Sequence, residues 1–188
     1  ILDNSVDLFL LDLPYNQTAC KWDKDIIDLE KMWKEIKRIM KPNAIIIFFT
    51  TAKFGYKLIH SNPKWFRYDL IWKKSRKVGF LSANKMPLRQ HENIYIFKDE
   101  QGIYNPQKTP REKDYKHSGK RSSNEHYGGG VETKKEYKKE DGMYPISILD
   151  YNNPHNTIHR TQKPVELCEW IIKTYSNEND LVCDFCMG

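Results

Sequence analysis

Val6-Asp7-Leu8-Phe9-Leu10-Leu11-Asp12-Leu13-Pro14-Tyr15 is the stretch from which the fold can be read. Val6–Leu11 is a short, mainly apolar run, which suits a buried strand. Pro14 has no backbone donor and breaks the run as a turn. A second run, residues 44–50 (Ala-Ile-Ile-Ile-Phe-Phe-Thr), has no polar alternation. That pattern predicts a strand covered on both faces, as in parallel sheets.

Helical spacing lies between these strands. Leu29, Met32, Trp33, Ile36, Ile39 and Met40 recur at three- and four-residue steps, with Asp28 as a cap and Pro42 beyond the end. A short helix is expected over 54–60, strands over 66–72 and 94–97, and renewed pattern over 146–149. Pro164 opens a further helix with Val165, Leu167, Cys168, Ile171, Ile172 and Tyr175 on one side. A last buried strand is expected over 181–185. Strands and helices alternate, so the class is α/β with a mostly parallel sheet. Residues 98–145 turn polar and include Gly128-Gly129-Gly130, which reads as an insertion in the domain.

Composition narrows the function classes. The chain has 188 residues, 39% hydrophobic, enough for one core. Its longest apolar run is residues 44–49, too short to span a bilayer. Four cysteines do not make a disulfide scaffold. Cys183 and Cys186 form a single C-x-x-C without a second pair, so no metal is expected. A soluble, cytoplasmic protein without membrane partners is the expectation.

The net charge of +6 is concentrated. Residues 53–91 carry ten Lys and Arg and one acid, Asp69. Lys73, Lys74, Arg76 and Lys77 lie beside Trp65, Phe66, Trp72 and Phe80, and Arg89 follows. Basic residues interleaved with aromatics suit a polyanion whose bases can stack. A solvated basic face is the plainer reading of such a run.

Three motifs carry candidate chemistry. Asp12-Leu13-Pro14-Tyr15 follows a buried strand, where open α/β sheets place ligand sites. A carboxylate and a backbone carbonyl can accept both hydrogens of an exocyclic amine, and Tyr15 offers a ring face to an extruded base. An ordinary strand-ending turn would have the same composition. His159-Arg160-Thr161-Gln162-Lys163-Pro164 precedes a helix, where Thr161 and Lys163 could meet an anion. Asp184-Phe185-Cys186-Met187-Gly188 follows the last strand, as a cofactor loop would.

Together these motifs resemble the amino-group DNA methyltransferases, which carry an Asp/Asn/Ser-Pro-Pro-Tyr type tetrad, a His-x-Thr-x-Lys-Pro stretch and an Asp-x-Phe-x-Gly loop. Their order, with the tetrad first and the cofactor loop last, resembles the β group, a circular rearrangement of the common motif order. Ser5-Val6-Asp7-Leu8, Lys41-Pro42-Asn43-Ala44 and Leu88-Arg89-Gln90-His91-Glu92 agree with it. Ala19-Cys20-Lys21-Trp22-Asp23 and Tyr104-Asn105-Pro106-Gln107 resemble the adenine-N6 branch of phages and bacteria. Leu13 departs from the pattern, in which a second proline is common.

The resemblance implies a Rossmann-like methyltransferase fold truncated at both ends. Residues 1–97 would be the catalytic part, 98–145 the target-recognition insertion, and 146–188 an incomplete cofactor-binding part. It implies methyl transfer from S-adenosyl-L-methionine to adenine N6 in a specific double-stranded DNA sequence, as in prokaryotic or phage restriction-modification. The transfer would be an in-line displacement from the sulfonium after base flipping. Asp12, Pro14 and Tyr15 would be catalytic. Asp184, Phe185, Gly188, Thr161 and Lys163 would surround the cofactor, and Phe49 would either pack against its adenine ring or be a plain core aromatic. Lys73, Lys74, Arg76, Lys77 and Arg89 would hold DNA phosphates. A cytosine-N4 target, an inactive DNA-binding relative, and RNA or protein-glutamine methylation stay open at this point, as does a homodimer.

Overall fold

The computed structural model describes residues 1–15, 27–119, 133–137, 141–155, 157–159 and 161–186. They form two compact units, Ile1–Asn105 with Ile146–Gly188, and Pro106–Pro145.

The first unit is built on a six-stranded sheet. In chain order it contains β1 (Val6–Leu11), α1 (Leu29–Ile39), β2 (Met40–Thr50), α2 (Ala52–Ser61), β3 (Phe66–Val78) and β4 (Arg89–Phe97). The second unit holds β5 (Tyr115–Gly119) and β6 (Thr133–Tyr137), and β7 (Ile148–Asp150), α3 (Val165–Tyr175) and β8 (Val182–Cys183) complete the first. The sheet order is β7-β3-β4-β2-β1-β8. β1 pairs in parallel with both β2 and β8, and β3 in parallel with β7. Only β4 runs against its neighbours β2 and β3. The sheet is therefore mostly parallel, with one reversed strand inside it.

Alternation along the strands makes two cores. Phe9, Leu11, Ile46, Phe48 and Phe97 face α1 and α2, where Trp33, Ile36, Phe54 and Leu58 meet them. Leu8, Leu10, Ile45, Ile47, Phe49, Leu70, Trp72 and Ile94 face α3, where Leu167, Ile171 and Tyr175 meet them. Both faces are covered, so the central strands are apolar throughout. α1 starts at its expected cap, whereas α2 starts at Ala52, two residues ahead of the expected 54. Asp28 Oδ1 accepts the Lys31 N–H at 3.1 Å, and Thr51 caps α2 through the Phe54 N–H at 3.4 Å. Gly55 lets α2 approach β4 closely, since a Cβ there would lie 2.3 Å from the Tyr95 ring.

The amino end of β1 is clamped by a charged residue inside the apolar run. Asp7 is 8% exposed. Both its carboxylate oxygens accept from Lys41 Nζ at 2.8 Å, and Oδ2 also accepts the Leu181 N–H at 3.0 Å. Asp7 thus ties the chain ahead of β8 to β1 and to β2.

Several features differ from the sequence expectation; the last strand, expected over 181–185, is only Val182–Cys183, and β4 begins at Arg89 rather than 94. β3 runs on to Val78, well past Trp72, because its Lys-rich end is paired with Arg89–His91 of β4. The polar unit begins at Pro106, not Lys98, because Asn105 returns to the first unit: its N–H donates to Thr174 O at 2.7 Å and its side-chain amide to Ser176 O at 2.9 Å. The polar unit also contains a β-ladder, in which Tyr115 lies opposite Tyr137 and Gly119 opposite Thr133.

Candidate active site

Parallel pairing of β1 with β8 sets Leu8 beside Val182 and Phe9 beside Cys183. Both strands then end on the same edge, and the chain past each delivers a carboxylate there. Asp12 follows β1 and Asp184 follows β8. Carboxyl edges of parallel strands are where such sheets bind ligands.

Asp12 has a side chain 28% exposed and two partners among the described residues. Tyr15 Oη donates to Oδ1 at 2.6 Å, and Lys163 Nζ donates to Oδ2. The Tyr15 ring rests on Phe54, with centroids 5.4 Å apart. This seats the tetrad on the α2 side of the sheet, while Lys163 arrives from the loop before α3, on the other side. The tetrad and the loop before α3 therefore meet at Asp12.

Lys163 has further company. Glu92 Oε2 stands 3.7 Å from its Nζ, and the Phe49 ring centroid 5.1 Å from it. Glu92 also pairs through Oε1 with Lys74 Nζ. The result is a chain of alternating charge from Lys74 through Glu92 and Lys163 to Asp12, spanning β3, β4 and β1. The Glu92 Oε2 atom is buried and accepts no hydrogen bond among the described residues. A buried acceptor without a donor costs about 1–3 kcal/mol.

Asp184 accepts the Cys186 N–H on Oδ1 at 2.8 Å, a tight turn that fixes the carboxylate. Burial pushes its carboxyl above the usual range, with the Asp12 charge adding to this; the Cys186 N–H and Lys163 oppose it. Phe185, next along, is half exposed. Burial, with Asp184 and Asp12 nearby, raises the Cys186 thiol to about 11.

The other sequence-predicted residues divide. Phe49 is 2% exposed and belongs to the core against α3, so it is a core aromatic whose polar neighbour is Lys163. Thr161 turns toward its own loop, with Oγ1 2.9 Å from His159 Nδ1. Gly188 and residues 19–23 lie outside the described residues. Within the basic block, Lys74 points into the site: its side chain is 14% exposed and paired with Glu92. Lys73 is exposed and pairs with Asp150 at 2.5 Å, and Arg76 reaches His155 Nδ1 at 3.2 Å. Lys77 is exposed and Arg89 half-buried.

Glu92 is the residue that sequence reasoning passed over. The signal was present: an acid at the edge of a block otherwise almost free of acids has basic neighbours to answer.

The DNA methylase family model, which covers N6 and N4 enzymes, matches residues 6–188. The chain belongs to the DNA methylase family. It is 24% identical over 212 residues to the Type II methyltransferase M.BglII of Bacillus subtilis, covering 100% of the chain and 56% of that protein. It is also 24% identical over 198 residues to the Type II methyltransferase M.HpaI of Haemophilus parainfluenzae, covering 99% of the chain and 59% of that protein. This methylase chain thus spans a little over half the length of those relatives. Among solved structures it is similar to the PvuII DNA methyltransferase (cytosine-N4-specific), with a TM-score of 0.67 and 13% identity over 97% of this chain and 68% of the other. It is similar also to M1.HpyAVI in complex with SAM, with a TM-score of 0.59 and 19% identity over 98% of this chain and 74% of the other. At those identities the structures speak for the fold. No helix among the described residues is long and apolar enough to cross a membrane.

Proposed function

We propose that the protein carrying this chain methylates an exocyclic amine of DNA, adenine N6 in preference to cytosine N4, with S-adenosyl-L-methionine as donor. The observation that carries this reading is the meeting of Asp12, Tyr15, Lys163 and Asp184 at the shared carboxyl edge of β1 and β8. The adenine preference rests on the resemblance of Tyr104-Asn105-Pro106-Gln107 and residues 19–23 to the N6 branch.

The residues present fit a nucleoside-type donor. Asp184 is a half-buried carboxylate on a fixed turn, next to a half-exposed phenyl ring. Asp184, Phe185 and Gly188 would hold the donor, with Thr161 and Lys163 on the facing loop. Once bound it supplies a methyl group activated by a sulfonium. Everything else falls to the chain.

Asp12 and the Pro14 carbonyl accept the two amine hydrogens of the flipped base, which draws the nitrogen lone pair out of conjugation. Tyr15 lends its ring to the base once the base has left the stack. Asp12 is engaged by Tyr15 and Lys163 in this structure, so accepting an amine requires one of them to yield. Lys163 has somewhere to go: Glu92 Oε2 is 3.7 Å away, buried and without a hydrogen-bond donor among the described residues. Glu92 is thus a positioning residue that takes Lys163 when the amine arrives. Positioning of this kind, with no covalent intermediate, is enough for a direct displacement.

The test is to incubate the full-length protein with DNA and the donor, digest the DNA and identify the modified nucleoside by mass spectrometry. N6-methyladenine is expected. N4-methylcytosine would overturn the adenine preference, and no methylated nucleoside would overturn the reading.

A further inference from the structure

The turn joining β3 to β4 presents apolar side chains to solvent in the most basic part of the chain. Phe80 is 81% exposed and Leu81 fully so, with Val78 and Met86 more than half exposed. The turn is built rather than loose. Gly79 takes a φ of +92°, which other residues rarely adopt, and starts a single 3-10 turn over Phe80–Ser82. Ser82 N–H donates to Gly79 O at 3.0 Å, Ala83 N–H to Phe80 O at 3.0 Å, and Lys85 and Met86 N–H to Ser82 O at 2.9 and 3.0 Å. Backbone bonds therefore hold Phe80 and Leu81 outward.

The direction of this hairpin follows from the ladder. β3 runs the same way as β1, and Lys74 stands level with the site, since Glu92 joins it to Lys163. Residues 75–88 therefore extend past the carboxyl edge, on the side where Asp12 and Asp184 stand. Val78 lies opposite Arg89, so the turn sits about four residues, roughly 13 Å, beyond Lys74.

The charge around the turn selects the occupant. No acid lies between Asp69 and Glu92, and Lys77 and Lys85 flank the apolar residues. Protein interfaces are depleted in lysine, whereas proteins that deform DNA set apolar wedges among Lys and Arg. We propose that the Phe80–Leu81 tip is a wedge that enters the base stack of duplex DNA beside the target nucleotide. It fills the space left as the base turns out toward Asp12, while Arg76, Lys77 and Lys85 bind the flanking phosphates. This inference rests on the DNA-methylating reading above and adds a residue set that touches DNA without touching the amine.

The experiment uses the full-length protein and its Phe80→Ala/Leu81→Ala variant. The modified sequence is first read from plasmid DNA grown with the protein. A duplex carrying 2-aminopurine at the target position then reports flipping by its fluorescence. Both side chains are exposed, so the variant keeps its melting temperature. The expected result is a fall of about tenfold in duplex methylation and a matching loss of the fluorescence rise. Duplex affinity at low salt should stay within about threefold, because the phosphate contacts persist. A mismatch opposite the target, which makes flipping cheaper, should restore most of the rate. Undiminished flipping and methylation by the variant would overturn the wedge. So would a variant that loses only self-association in sedimentation, since the tip would then cover a second copy. Plasmid DNA without any modified base would instead overturn the methylation reading itself.

Discussion

Asp7 and Asp12 stand five residues apart on one strand segment, and each is paired with a lysine. At the amino end, Asp7 is buried and its lysine bond is supported by the Leu181 N–H. At the carboxyl end, Asp12 is partly open, and its partners come from a loop and from its own turn. The first pair joins three segments of the sheet and has no rival ion-pair partner among the described residues. The second has a rival, Glu92, within 3.7 Å of the same lysine. An Asp–Lys pair is therefore a clamp or an exchangeable contact according to which end of a parallel sheet it occupies.

The largest effect expected from breaking this comparison is on Asp12. Asp12→Ala should lower steady-state methyl transfer about 10³-fold or more, the scale for losing a group that stabilises developing charge. Its melting temperature should fall less than that of Asp7→Ala, because Lys163 keeps Glu92 within 3.7 Å. Asp7→Ala should do the reverse. Removing one partner of a largely buried, hydrogen-bonded pair should cost about 2–3 kcal/mol, with Lys41 half in solvent. Denaturant unfolding would check this, as would a fall in melting temperature of roughly 5–10 °C. Activity per folded molecule should be kept.

Glu92→Gln sharpens the exchange argument. With the negative charge gone, Lys163 should hold to Asp12, and kcat should fall about tenfold with DNA affinity unchanged. Glu92→Asp should recover part of the loss. Equal loss of kcat and melting temperature in both variants would assign Glu92 to stability alone.

The smallest effect concerns Asp184. Its carboxyl is raised by burial, so ionising it works against the folded chain. The contribution is harmless below the ordinary carboxyl range and grows unfavourable as pH climbs through the raised value. Asp184→Asn should therefore melt slightly higher than the parent at pH 7 and match it near pH 3. Affinity for the donor, measured by calorimetry, should drop in the same variant. A lower melting temperature at pH 7 would contradict the argument.

Much of this molecule was legible from residues alone, for identifiable reasons. β1 and β2 are buried on both faces, so their apolar runs are continuous, and α1 and α3 show helical spacing because each has one buried face. The positions of Asp12 and Asp184 were legible because each follows an apolar strand run, β1 and β8. What escaped was whatever depends on register. Lys73 and Lys74 are adjacent in the same basic run, yet Lys73 meets exposed Asp150 while Lys74 turns inward to Glu92, because successive strand residues face opposite sides. Composition cannot separate them. The Lys-rich end of β3 read as surface because its ladder partner lies eleven residues on, at Arg89. Phe49 sits one residue past Phe48, and that step places the two rings in opposite cores.

The most direct test of the account is single-turnover methyl transfer with DNA and S-adenosyl-L-methionine already bound, comparing the parent with Asp12→Ala and Asp7→Ala below the melting temperature of each. Asp12→Ala should bind both ligands but transfer methyl about 10³-fold more slowly, while Asp7→Ala should transfer within about threefold of the parent. An Asp12→Ala protein that transfers methyl at the parent rate would contradict this expectation.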